Sequence, residues 1–322
     1  MAGVTDRPFR DLCRGLGVYW AVGEMLTSDL KLWSSTKSTK RRVQSDEVGP
    51  RWVQIAGADP AQMAEAADAC QQDGAEIVDI NLGCPAKKVC NRAAGSALMR
   101  DEALVEQILS AVVDAVSIPV TLKMRLGWSL DHQNAVTIAQ MAESLGVSLV
   151  TVHGRSRACR FEGPVHYDRI RAVREAVSIP LLANGDIRCV EDARKVIDVT
   201  GADGVMIGRA AQGQPWLPEL IDRALAGSDN LDPPTWIAQL QLVRDHVLAL
   251  QCFYGEVQGV RIARKHVGWF LDAAQSNSSD RLEDNPFAQE KKRFNQLQSA
   301  DAQIHFFDEL MTSDWLRALC VA

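Results

Sequence analysis

Residues 101–125, DEALVEQILSAVVDAVSIPVTLKMR, hold one complete helix-to-strand handover. Within 101–116 the apolar residues Leu104, Val105, Ile108, Leu109, Val112 and Val113 recur at helical spacing. Ser117-Ile118-Pro119 then ends the helix, because the proline ring removes a backbone donor and clashes with the preceding turn. The run that follows, Val120–Arg125, reads as a short strand.

The same handover recurs at Ser178-Ile179-Pro180. Strands are expected at 18–25, 52–57, 77–82, 120–125, 149–153, 180–184 and 204–207. Amphipathic helical stretches lie between them at 60–73, 101–116, 132–145, 166–177 and 189–199, after an opening helix at 5–16. Such alternation predicts a parallel sheet covered by helices. The expected strand ends carry Glu24, Gln54, Asn81, Lys123, His153, Asn184 and Gly208. A (β/α)8 TIM-type barrel collects all of these at one mouth, whereas a doubly wound sheet gathers its site at a single switch point. The α/β barrel is therefore the reading. Met1-Ala2-Gly3 reads as the loop after a strand, so the expectation is that the first of eight strands lies before Met1.

Beyond residue 228 the strand signal stops. Asp232-Pro233-Pro234 marks a linker, and 235–254, 257–275, 286–299 and 302–320 read as helices. Two domains are expected: a catalytic barrel over 1–228 and an all-α domain over 232–322.

Hydrophobic residues make up 47% and charged residues 24%, the balance of a soluble enzyme. No stretch reaches the ~20 apolar residues that span a bilayer, and the N-terminus lacks the pattern of a secretion signal. Eight cysteines without a C-x-x-C pair predict reduced cytoplasmic thiols, with neither a disulfide frame nor a metal site. A net charge of −6 counts against indiscriminate nucleic-acid binding, which wants a broadly basic surface, but leaves room for a local groove. Candidate clusters are Lys37/Lys40/Arg41/Arg42, Lys87/Lys88, Arg155/Arg157/Arg160, Arg261/Arg264/Lys265 and Lys291/Lys292/Arg293.

The segment 78–96, VDINLGCPAKKVCNRAAGS, ends a strand at Asn81 and holds Cys84 between Gly83 and Pro85 at the barrel mouth. A thiol there is placed as proton donor or nucleophile. Cys13, Cys70 and Cys189, in helical stretches, read instead as small buried hydrophobes. The loops after the last two strands, Asn184-Gly185-Asp186 and Gly208-Arg209, occupy the usual barrel phosphate site.

The N-x-G-C-P segment with Gly95-Ser96 resembles the signature of the tRNA-dihydrouridine synthases. Met1–Asp6, Gln54–Gly57, Lys123–Arg125, His153–Arg155, Asn184–Asp186, Gly208–Ala210 and Arg261–His266 match as well, and Ala86-Lys87-Lys88-Val89 is most similar to the bacterial B-type subfamily. The resemblance implies a cytoplasmic flavoprotein that uses FMN and NADPH to reduce a D-loop uridine of tRNA, acting as a monomer. It implies that Cys84 is the proton donor and that Met1, Ala2, Gln54, Lys123 and His153 line the flavin. Asn184, Gly185, Asp186, Gly208 and Arg209 would hold the phosphate, Asn81 and Arg155 would contact the substrate, and the helical domain would grip tRNA. Members carry a strand and a proline before the position of Met1. Two other readings are a small-molecule flavin reductase of dihydroorotate dehydrogenase type and a tRNA-binding protein with weak catalysis.

Overall fold

The computed structural model describes residues 1–42, 46–86, 94–278 and 286–316. Seven strands, β1 (Leu26–Thr27), β2 (Trp52–Ala56), β3 (Ile77–Leu82), β4 (Val120–Arg125), β5 (Leu149–His153), β6 (Leu181–Asn184) and β7 (Gly204–Met206), form one sheet. Every neighbouring pair is parallel and the spatial order follows the sequence. This is the TIM-type α/β architecture, followed by a helical C-terminal region.

The helices form where proline, caps and periodicity place them. After α1 (Arg7–Gly15) and the single turn α2 (Thr36–Thr39), α3 spans Pro60–Gln72 with Pro60 in its first turn. Helix α4 (Glu102–Ala115) is capped by Asp101, whose side chain accepts from the Leu104 N–H at 3.0 Å, and it stops just before Ser117-Ile118-Pro119. Helices α5 (Ala135–Ser144), α6 (Tyr167–Ala176) and α7 (Val190–Thr200) complete the alternation.

One expected strand is misplaced. In 18–25 only Val22 bridges, to Trp52, and continuous pairing starts at Leu26. Tyr19 and Trp20 remain 64% and 56% exposed, so the apolar character there marks a surface segment. Gly23 passes close to the Trp52 carbonyl, to which its N–H donates at 2.9 Å.

The strands sort their residues by parity. Val78, Ile80 and Leu82, with Leu122, Met124, Val150 and Val152, are fully buried and apolar. The alternate positions carry Asp79, Asn81, Thr121, Lys123, Arg125, Thr151 and His153, and Thr121 hydrogen-bonds to Asp79 across the strands. The interior face of the sheet is thus polar, and its outer face is greasy.

The chain divides into two compact units, Met1–Arg10 with Tyr19–Gly208, and Asp11–Val18 with Arg209–Ala322. The second is built from α8 (Leu217–Leu225), α9 (Trp236–Tyr254), α10 (Glu256–Ser278), α11 (Pro286–Gln296) and α12 (Ala300–Thr312). Its core joins Trp216, Leu220, Val247, Val267, Phe294 and Phe307. Among the described residues no helix is long and apolar enough to cross a membrane.

Candidate active site

Cys84 follows β3 in a loop pinned from both sides. The Asn81 Oδ1 accepts from the backbone N–H groups of Gly83 at 3.1 Å and Cys84 at 2.9 Å. On the far side, Ser96 donates its N–H at 3.2 Å and its hydroxyl at 2.8 Å to the Cys84 carbonyl. Arg125 Nε donates to the Gly83 carbonyl at 2.8 Å. Cys84 is partly exposed, whereas Cys13 and Cys70 are buried and burial pushes both of those thiols up to about 12. Cys189 departs from the sequence reading. It is partly exposed and caps α7, its sulfur accepting from the Asp192 N–H at 3.4 Å.

The parallel register sets Asn81 beside Lys123, and Lys123 beside Thr151. Lys123 Nζ donates to Asn184 Oδ1 at 3.0 Å, and Asn184 Nδ2 donates to the Met206 carbonyl at 2.7 Å. Part of Lys123 stays open, yet desolvation of its ammonium, aided by Arg125 and opposed by Asp79, lowers it to about 7. Burial, with Lys123, Arg125 and Arg155 adding to it, lowers His153 to about 2, so its imidazole is neutral. Its ring lies 6.4 Å from that of Phe161.

The loop after β6 adopts positive φ at Gly185 (131°) and Asp186 (47°). Arg155 holds Asp186 through a two-pronged ion pair, and the Tyr167 hydroxyl donates to the Gly185 carbonyl at 2.7 Å. A Cβ at Gly208 would meet only Met1 Sδ, at 4.0 Å, so the backbone there stays open to a close ligand. Met1 donates its amine to Thr5 Oγ1 at 2.7 Å, and Ala2 is exposed. Arg209 opens a short 3-10 turn in the second unit. Together the first unit offers N–H donors at Lys123, Gln54 and Asn81, a buried Thr151 hydroxyl without a partner, and two glycine-lined loop ends. That set suits a flat ring with acceptor edges joined to a phosphate.

Sequence reading passed over Asp79, Thr121 and Trp52, which turn out to anchor Gln54 and Asn81. Gln54 Nε2 donates to Asp79 Oδ2 at 2.7 Å, and Thr121 Oγ1 to Asp79 Oδ1 at 2.6 Å. Burial pushes the Asp79 carboxyl above its usual value, against the pull of Thr121, Gln54 and Lys123. The available signal was the polar parity of β3 and β4.

Several residues of the basic clusters are used internally. Arg41 pairs with Glu24, Arg42 with Asp73, Lys291 with Asp272, and Arg293 with Glu290. Arg157 lies over the Trp128 ring at 4.4 Å. Arg261 remains exposed on α10, whereas Lys87 and Lys88 lie outside the described residues.

A family model described as dihydrouridine synthase (Dus) matches residues 1–308. The chain is 54% identical over 305 residues to tRNA-dihydrouridine synthase B of Pseudomonas aeruginosa, covering 94% of this chain and 88% of that one. It is 48% identical over 324 residues to the protein of the same name from Serratia marcescens, covering 99% and 94%. A solved histamine dehydrogenase from Rhizobium sp. 4-9 aligns with a TM-score of 0.50 at 11% identity, over 77% of this chain and 47% of that one, a likeness of fold alone.

Proposed function

This chain belongs to the dihydrouridine synthase family, and from that premise we propose that it reduces a D-loop uridine of tRNA to 5,6-dihydrouridine, with FMN as cofactor, NADPH as reductant and Cys84 as proton donor. The observation that carries the reading is the pinned Cys84 backbone beside Asn81 and Lys123 at one end of the sheet.

The donor set fits FMN. Lys123 and the unused N–H of Gln54 match the acceptor edge of an isoalloxazine, Thr151 offers a hydroxyl to the same interior, and the Gly185 and Gly208 loop ends leave room for a phosphate. Met1 and Ala2 join this cofactor set, and Asn184 and Asp186 shape its loop. When bound, FMN supplies the hydride that adds to C6 of the uracil ring. Cys84 Sγ holds the proton that C5 takes, and the resulting thiolate recovers its proton from solvent. Lys123, lowered to about 7, places an adjustable cation beside the reacting ring. His153 is neutral and serves as a hydrogen-bonding group without charge. Asn81 donates to the uracil edge, and Arg155 acts on the substrate side through the loop it holds.

A stacked uridine must leave its helix to reach such a site. We assign that grip to the helical region over 232–322, where exposed Arg261 gives a phosphate contact. The enzyme acts as a cytoplasmic monomer in this reading.

The test is Cys84→Ala. Expected is a flavin-loaded protein that leaves tRNA dihydrouridine content at zero. Normal tRNA reduction by that variant would remove Cys84 from the mechanism.

A further inference from the structure

A directed chain of hydrogen bonds crosses three strands and ends on the Cys84 backbone. The indole Nε1–H of Trp52 can only donate, and it donates to Thr121 Oγ1 at 3.1 Å. The Thr121 proton therefore goes to Asp79 Oδ1, at 2.6 Å. Asp79 Oδ2 takes an N–H from Gln54 at 2.7 Å, which turns the Gln54 carbonyl toward Asn81 Nδ2, also at 2.7 Å. Asn81 is left with its oxygen toward the N–H groups of Gly83 and Cys84. Trp52, Asp79, Asn81 and Thr121 are all buried.

An amide side chain can present either its oxygen or its nitrogen to a neighbour, and nothing in Gln54 or Asn81 alone selects one. The carboxylate does so at one end of the chain, and the backbone N–H groups of Gly83 and Cys84 hold the other. With both oxygens accepting, Asp79 admits only the N–H end of Gln54, and each later link follows. The opposite polarity would set the Asn81 NH2 against two backbone N–H donors, leaving the turn at Cys84 without its acceptor.

We propose that Asp79 is a positioning residue. It fixes the polarity of Gln54 and Asn81, and through them the placement of the Cys84 thiol and the second N–H of each amide toward ligand. The effect on turnover rests on the reading of Cys84 as proton donor, whereas the effect on Cys84 placement does not.

The test compares flavin-loaded wild type with Asp79→Leu, which removes the acceptor, and Asp79→Asn, whose amide offers Gln54 either polarity. The first readout is the rate at which iodoacetamide alkylates Cys84 in the absence of tRNA, followed by peptide mass. The second is single-turnover tRNA reduction. Expected for Asp79→Leu is a several-fold change in Cys84 alkylation and an about 10²-fold slower turnover with the tRNA KM little changed, the signature of a mispositioned group. Asp79→Asn should fall between it and wild type, and serves if the leucine variant does not fold. Wild-type alkylation and turnover in either folded variant would overturn the proposal. A wild-type protein unable to reduce tRNA would instead defeat the functional reading, and the alkylation comparison would still decide the role of Asp79.

Discussion

Arg155 holds Asp186 through two hydrogen bonds, of 3.0 and 2.6 Å, while the Asp186 backbone sits at φ 47°. Left-handed backbone is unfavourable for a residue with a Cβ, and the ion pair offsets that strain. The same guanidinium also donates to the carbonyls of Glu162 and Gly163, so one buried cation ties two loops.

Removing that cation leaves Asp186 with Arg188, 3.6 Å away and mostly exposed. Arg155→Ala should destabilise the first unit by about 3 kcal/mol, the scale for breaking a buried pair, and weaken flavin binding. Arg155→Lys should lose less. Urea midpoints and flavin titration check both, and a midpoint unchanged in Arg155→Ala would contradict the clamp.

Lys123 gives a pH dependence with a definite sign. Its value in the folded protein is about 7 against an ordinary 10.5, so between these limits the unfolded chain binds more protons and stability rises with pH. Below about 7 the full burial penalty applies. In flavin-free protein, Lys123→Met should therefore exceed wild type in urea resistance most at about pH 6, with the margin shrinking toward about pH 10. A margin independent of pH would show that the Lys123 ammonium is not depressed.

Gly57, beside the β2 strand end, has no room for a side chain. A Cβ there would run into Ser28 Oγ and Cβ and Met63 Sδ, and both neighbours are buried. Gly57→Ala should cost about 2 kcal/mol by overpacking. Adding Ser28→Gly should recover part of that loss, a non-additivity that thermal unfolding of the two single variants and the double variant would measure.

In the helical unit, Phe294 stacks edge-on against Phe306 and Phe307, with ring centroids 5.0 and 5.8 Å away. Phe294→Ala should cost about 3–5 kcal/mol through lost burial and the cavity left behind. Hydrogen exchange should show the loss concentrated in α11 and α12, and equal loosening of the β-sheet would refute that localisation.

Six strands were legible because proline boundaries and short β-branched runs mark them directly, as at Pro119-Val120 and Pro180-Leu181. The region 18–25 misled because apolar content does not tell a buried strand from an exposed Tyr19-Trp20 edge. Helix α8 went unread although Pro218 stands in its first turn, because the helix is short and no strand run follows it to mark its end. Cys84, Lys123 and His153 could be singled out because each sits at or just past a strand end, where polar residues stand out against apolar runs. Asp79 and Thr121 could not, since their meaning lies in a partner on the next strand, and linear order does not show which residues sit level across a sheet. Arg41, Arg42 and Arg155 read as exposed cations for the same reason: their carboxylate partners lie 17 to 31 residues away in sequence.

The parity of the strands has a consequence for assembly. A slip of β4 by one residue against β3 would turn Thr121 and Lys123 toward the helices and Leu122 and Met124 inward, so the misalignment is penalised on both faces at once. The polar lining thus doubles as a check on alignment, since its cross-strand hydrogen bonds close only when Gln54, Asp79 and Thr121 stand level.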